Sequence, residues 1–556
     1  MQEYSPELFW LVVISFVVAF ALSFGIGAND VANSFGTSVG SRVLTLRSAC
    51  ILASVFEIAG AVLIGYKVSD TLRKVLIDVN AYQGAEKQLI FGYLSSLGGS
   101  AVWLLIATSF RLPISGTHSI VGATIGFSLV AKGFHGMKWS MLFGIVASWF
   151  ISPICSGTVS VIVYILIREH VLNSSNPVRN GLKSLPIFYG ITIAVNVFSV
   201  VEGGSKFLHL NGITLRTSVL ASIIIGLLSA GIVYLFVVPK QQVVLSCLPS
   251  ITRENTADSA FHVARVEDYG GNSSIATTNN SPARRIDDDF YILRKYDETT
   301  SDKIEMNVIR NSREQLKEEA GQTSGTSESR PNALPKKKKK RAGLKPNASA
   351  VPLIKIDSAT SVNMEKMPNV DVEDSRGRNT PIMRTPIETI FTFLQILTAI
   401  FGSFAHGGND VSNAIGPLVA IWLIYSEGSV LQSSETPFFI LLYGGIGISI
   451  GLWVWGRNVI KTVGEDLTQI TPSTGFSIEI GSSMTVLLAS KLGVPISTTH
   501  CKVGSVVFVG WSSSSAQGVD WKLFKNIIFA WVITLPVSAV LSGLLMYILL
   551  SYQNFL

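Results

Sequence analysis

A short polar motif that closes an apolar run, and is written twice, constrains this chain more than any other feature. It reads Gly27-Ala28-Asn29-Asp30-Val31-Ala32-Asn33-Ser34, and about 380 residues later Gly407-Gly408-Asn409-Asp410-Val411-Ser412-Asn413-Ala414. A carboxylate in a membrane span costs about 2.5–3.5 kcal/mol on insertion scales, so it is kept there for a purpose. The runs around it are apolar on every face, charged residues make up only 15%, and the mean hydropathy is +0.43. A soluble chain of 556 residues would instead show amphipathic helices in two or more domains.

The two halves repeat an order of parts. In the first, spans are expected at 8–24, ending in the motif, at 48–66, at 93–110 and 114–131 about a hinge Leu112-Pro113-Ile114-Ser115-Gly116-Thr117-His118, and at 141–167. The second has spans at 387–404, 438–455, 476–489 and 496–509 about Val494-Pro495-Ile496-Ser497-Thr498-Thr499-His500, and 523–550. Trp149 and Trp531, and Gly122 and Gly504, echo one another at matching places. Two further spans, 185–200 and 219–238, complete the first half. The expected fold is therefore an all-α integral membrane protein of about 12 membrane segments in two repeats. Its parts are a first transport repeat at 1–170, additional membrane helices at 171–240, a disordered cytoplasmic loop at 241–385, and a second repeat at 386–556.

The number of spans between the repeats is odd whether each hinge pair crosses the membrane or forms a re-entrant helical hairpin. The repeats are thus expected to have inverted topology, an arrangement found in transporters. The polar stretch 241–385 holds 23 of the 44 basic and 20 of the 37 acidic residues, including Lys336-Lys337-Lys338-Lys339-Lys340-Arg341. It reads as disordered and cytoplasmic, which places both termini outside. The net charge of +7 reflects membrane topology and implies no nucleic-acid partner. Cys50, Cys155, Cys247 and Cys501 show no paired spacing, so neither a disulfide framework nor a zinc motif is indicated. No cleavable signal peptide is expected, because the first run carries the motif and lacks a basic leader.

Asn29, Asp30 and Asn33, and again Asn409, Asp410 and Asn413, offer hard oxygen ligands. Such a set suits a monovalent cation held partly by carbonyls freed where the helix unwinds at glycine. The bland alternative for the glycines is small-residue helix packing. The hinges offer the complementary chemistry: free N–H groups at a helix N-terminus with Ser115, Gly116 and Thr117, or Ser497, Thr498 and Thr499, make an anion site. A lone Ser here would be an N-cap, but repetition beside the Asn-Asp motifs favours binding of a tetrahedral oxyanion. His118 and His500 are candidate proton carriers, against packing residues as the alternative, and Glu57 and Glu479 are further intramembrane carboxylates. For Glu57 a structural ion pair stands beside the functional reading.

Both motif copies, with Thr471-Pro472-Ser473-Thr474-Gly475-Phe476-Ser477-Ile478-Glu479 and Pro495-Ile496-Ser497-Thr498-Thr499-His500-Cys501-Lys502-Val503-Gly504-Ser505-Val506-Val507, resemble the inorganic phosphate transporter (PiT) family, in particular its eukaryotic sodium-dependent members. The resemblance spans both membrane halves. It implies a symporter, not an enzyme, that imports inorganic phosphate with Na⁺ as coupling ion and needs no cofactor. It implies plasma-membrane location and a homodimer, essential roles for Asp30 and Asp410, transport roles for Glu57 and Glu479, and phosphate contacts from Ser115, Thr117, Ser497, Thr498 and Thr499. Two positions depart from the pattern: the first hinge has Gly116 where many relatives have Thr, and Tyr93 stands where animal relatives are expected to carry an acid. The rival expectations are proton coupling through Asp30, Asp410 or a hinge His, a phosphate sensor or surface receptor, and a metal-dependent membrane enzyme. The last lacks a dense ligand set and a nucleophile–base pair.

Overall fold

The computed structural model describes residues 2–202, 212–247, 385–461, 467–513 and 518–555. The chain divides into one compact unit, residues 1–250 with 364–556, and a second, 251–363, that lies outside the described residues. The expected loop falls almost wholly outside them too. Its first residues do not: a helix runs through to Cys247.

The principal helices are α1 (Phe9–Asp30), α2 (Ala32–Gly40), α3 (Leu46–Ile64), α4 (Glu86–Ser109), α5 (Gly116–Lys132), α6 (Trp139–Ile167), α7 (Pro177–Val201), α8 (Leu215–Ile232), α9 (Val238–Cys247), α10 (Pro386–Glu427), α11 (Phe438–Trp455), α12 (Pro472–Lys491), α13 (Thr498–Ser512) and α14 (Trp521–Phe555). Among the described residues no strand forms, only the isolated bridges Ile77–Met137 and Thr468–Val519. Nine helical stretches there are long and apolar enough to cross a membrane. The expected short segments of the two hinge pairs are α4 and α5, and α12 and α13; of these only α4 meets that length and apolarity. Outward-facing side chains such as Phe150, Leu227 and Val532 are apolar and exposed, as a lipid-facing surface requires.

One expectation fails. The motif does not end its helix, and the backbone does not unwind there. α10 passes unbroken through Gly407-Gly408-Asn409-Asp410, and only Val31, itself in right-handed helical conformation, separates α1 from α2. Hydropathy drops at the motif, which is why the apolar run appears to stop. The helix continues because Asn29, Asp30, Asn33, Asp410 and Asn413 take partners on other elements, so they do not compete for their own backbone, and Asn409 makes no bond to its backbone either.

The glycines serve close approach instead of unwinding. A Cβ on Gly27 would fall 1.8 Å from the carbonyl oxygen of Ile448, and one on Gly407 would fall 2.2 Å from that of Glu57. The first helix of each repeat thus lies backbone to backbone against the second helix of the other. Other packing is paired in the same way: between repeats α1 packs on α11 and α10 on α3, α5 on α14 and α13 on α6, while within its own repeat α1 packs on α4 and α10 on α12. The helices α7 and α8 pack on each other and fall outside this reciprocal scheme.

Candidate functional site

The motif side chains point inward and are buried. In the first repeat, Asn29 Nδ2 donates to Thr108 Oγ1 at 3.0 Å and to the Leu112 carbonyl at 2.9 Å, and its Oδ1 accepts the Ile114 N–H at 3.1 Å. Asp30 Oδ2 accepts the Gly116 N–H at 3.2 Å, at the very start of α5. A Cβ at Gly116 would lie 2.9 Å from the same carboxylate oxygen, so a side chain there would displace the Asp30 carboxylate from its present position. In the second repeat, the Thr498 hydroxyl, at the start of α13, donates to Asp410 Oδ2. Asn413 Nδ2 bonds to Asp410 Oδ1 at 3.2 Å.

The two hinges cross, and each is tied to the other repeat. Thr117 Oγ1 donates to the Ile496 carbonyl at 3.0 Å, and Thr499 Oγ1 lies 3.2 Å from the Ile114 carbonyl as its donor. Each of these hydroxyls accepts from an asparagine of the opposite motif: Asn33 Nδ2 reaches Thr499 at 2.9 Å, and Asn413 Nδ2 reaches Thr117 at 3.2 Å. Thr499 also stands 3.4 Å from Asp30 Oδ1. The structure therefore gathers Asp30, Asn33, Gly116, Thr117, Asp410, Asn413, Thr498 and Thr499 into one buried polar centre.

Ser115 and Ser497 do something else in this structure. Each accepts the N–H three residues on, of His118 at 3.3 Å and of His500 at 3.2 Å, and so caps its helix. His118 and His500 form part of an aromatic column. His118 lies 3.7 Å from Trp149 between ring centroids, His500 lies 3.8 Å from Trp531, and the two imidazoles meet edge to face at 4.4 Å. Trp531 Nε1 donates to the Pro113 carbonyl, which fixes the column to the first hinge.

Two more carboxylates flank the centre. Glu57 Oε2 is 2.7 Å from His406 Nδ1, and its Oε1 accepts from Ser403 and Ser34 at 3.0 and 3.2 Å. His406 Nε2 is in turn 2.8 Å from Asp410 Oδ2, so one imidazole stands between two acids. Glu479 accepts from the hydroxyls of Thr37, Ser38 and Thr398. Lys502 is buried and within electrostatic range of it. The sequence reading missed His406, Thr398, Thr37, Ser38, Thr108 and Lys502. For His406 a signal existed: it precedes Asp410 by one helical turn, the spacing at which side chains meet. Tyr93, read as a departure, is buried and donates its hydroxyl to the Arg73 carbonyl at 2.6 Å.

Paired carboxylates, amides and helix N-termini sealed inside a bundle of membrane helices, with two repeats exchanging partners, define a membrane transporter class. The chain belongs to the phosphate transporter family, whose model matches residues 26–542. It is 42% identical to sodium-dependent phosphate transporter 2 of Xenopus tropicalis, over 98% of each chain. It is 41% identical to sodium-dependent phosphate transporter 1-A of Danio rerio, over 98% of this chain and 95% of the relative. It is 39% identical to sodium-dependent phosphate transporter 1 of Homo sapiens, over 98% and 96%. A solved structure titled the sodium-dependent phosphate transporter aligns over 97% of this chain and 99% of its own, with a TM-score of 0.67 and 30% identity. The chain is accordingly a transporter and not an enzyme, as the resemblance implied.

Proposed function

We propose that this chain carries inorganic phosphate into the cell across the plasma membrane together with Na⁺, by alternating access. The observation that carries the reading is the pairing of each motif carboxylate with a hinge-helix start: Asp30 with the Gly116 N–H, and Asp410 with the Thr498 hydroxyl. Donors that now hold carboxylates are donors an oxyanion would use. In this reading Na⁺ is the cargo of the Asn29, Asp30, Asn33 and Asn409, Asp410, Asn413 clusters. As Na⁺ draws on the carboxylate oxygens, the Gly116 N–H and the Thr498 and Thr499 hydroxyls are freed for phosphate, and Thr117 joins them when its hydroxyl leaves the Ile496 carbonyl. Ser115 and Ser497 add their hydroxyls when they swing out of their caps. A multivalent anion needs such compensation to leave water. The names of the relatives support the sodium dependence.

The exchanged packing of the repeats supports an inverted arrangement, with both termini outside and the central segment cytoplasmic. The family resemblance supports a homodimer. The test of coupling is uptake of labelled phosphate into reconstituted vesicles at fixed pH with Na⁺ replaced by choline. Collapse of uptake is expected; undiminished uptake would sink the sodium assignment. One observation favours a second reading: His406 between Glu57 and Asp410 is built to carry a proton, so proton coupling is the rival that this experiment separates.

A further inference from the structure

The threonine–carbonyl and asparagine–threonine bonds of the two repeats match across the crossed hinges, but the repeats differ beside them. In the first repeat every polar group of the Asn29 side chain is engaged. It bonds to Thr108 at the end of α4 and to Leu112 and Ile114 in the segment leading into the hinge. The amide ties the hinge to its motif helix.

The repeat carries each of these positions into the second half. The paired packing of Gly99 on Ser542 and of Gly481 on Ser160, with the paired columns of His118 and His500, sets the alignment. It gives Asn409 for Asn29, Ser490 for Thr108, Val494 for Leu112 and Ile496 for Ile114. None of the three bonds is made there. Asn409 is 0% exposed, and neither its Nδ2 nor its Oδ1 has a hydrogen-bond partner among the described residues. Ser490 donates to the Val486 carbonyl of its own helix, as Thr108 does to Leu104, and goes no further. Beside Ser490 lies a small cavity lined by Ile64, Tyr66, Lys67, Ser490 and Lys491. Ile64 is also the side chain against which Gly408, the neighbour of Asn409, is packed.

We propose that Asn29 and Asn409 are reciprocal latches on the two hinges, the first shut and the second open in this structure, and that alternating access exchanges them. In the opposite state Asn409 closes on Ser490, Val494 and Ile496 while Asn29 releases Thr108, Leu112 and Ile114. A buried amide with both ends unbonded is costly, so a partner held in the other state accounts for its being retained. The exchange is close to neutral in energy because both latches are built from the same kinds of group. That neutrality is what a carrier needs in order to populate two states. Both asparagines are positioning residues in this role, in addition to their place in the cation clusters. The inference rests on the transport reading for its setting, but its test needs neither ion nor phosphate.

The test uses the full chain in vesicles free of Na⁺ and phosphate, with Lys67→Cys as a reporter in the cavity. Its rate of modification by a membrane-impermeant maleimide, added from each side in turn, is compared with that of the chain carrying only its native cysteines. Asn29→Ala weakens the latch that holds the present state and slows labelling. Asn409→Ala weakens the opposite state and speeds it. The two rates are expected to separate by about tenfold or more, given two to three buried hydrogen bonds per latch. Thr108→Val and Ser490→Ala open each latch from its far side and reproduce the two signs with smaller effect. They carry the test if an asparagine variant does not fold. Rates that shift together, or do not separate in either pair, overturn the proposal. A failure of sodium coupling would appear in the uptake experiment and leave these rates unaffected.

Discussion

Asn33 and Thr499 stand 466 residues apart in the chain and share a 2.9 Å hydrogen bond at the centre of the protein. The bond has a counterpart, Asn413 to Thr117 at 3.2 Å, so each motif helix holds the hinge that belongs to the other repeat. Neither half completes its polar centre alone. A contiguous chain of bonds therefore joins each hinge to the opposite motif.

Thr117→Val and Thr499→Val test that linkage. Each removes a hydroxyl that donates to a hinge carbonyl and accepts from an asparagine, leaving both partners buried. A loss of about 1–3 kcal/mol each is expected. Because the two hydroxyls belong to one network, the double variant should differ from the sum of the singles by more than about 0.5 kcal/mol. Thermal unfolding of the purified chain in detergent measures both quantities.

Gly116→Ala adds one carbon where Asp30 now bonds, 2.9 Å from its oxygen. Overpacking of this kind costs about 1–3 kcal/mol, so phosphate uptake should fall roughly tenfold or more while the protein still reaches the membrane. Uptake normalised to surface protein is the measurement, and unchanged uptake would show that the Asp30 contact is dispensable.

His406 separates two buried acids, so His406→Ala should be among the most destabilising single changes, at about 3–5 kcal/mol. Adding Glu57→Gln should recover part of that loss, because one of the two uncompensated charges is then gone. Unfolding midpoints for the single and double variants decide it. A double variant less stable than His406→Ala would contradict the pairing.

Thr398→Val removes one of the three hydroxyls that hold Glu479. A charge-assisted bond of this kind contributes about 1.5–3 kcal/mol, and the same unfolding assay should show a loss of that order.

Much of this architecture was legible because duplication prints itself twice. Asp30 with Asp410, and Thr117 with Thr499, stood out by position before any contact was known. The continuous helix through Asn409 was not legible, since hydropathy falls at a polar motif whether the helix ends or its side chains find distant partners. Ser115 and Ser497 illustrate the reverse case: the same sequence fits an anion site and an N-cap, and the structure shows the cap. The cage of Glu479 was hidden because Thr37, Ser38 and Thr398 are ordinary helix residues that only tertiary packing brings together. His406 was overlooked although its turn spacing to Asp410 was readable, because it has no counterpart in the first motif, where Ile26 occupies the place.

If Asp30 and Asp410 are the working carboxylates of one transport site, neither can be spared. The measurement is Na⁺-driven uptake of labelled phosphate into vesicles holding Asp30→Asn or Asp410→Asn, at matched protein content and confirmed folding. Either substitution alone is expected to abolish Na⁺-dependent uptake. Uptake near the unsubstituted level in either variant would contradict it.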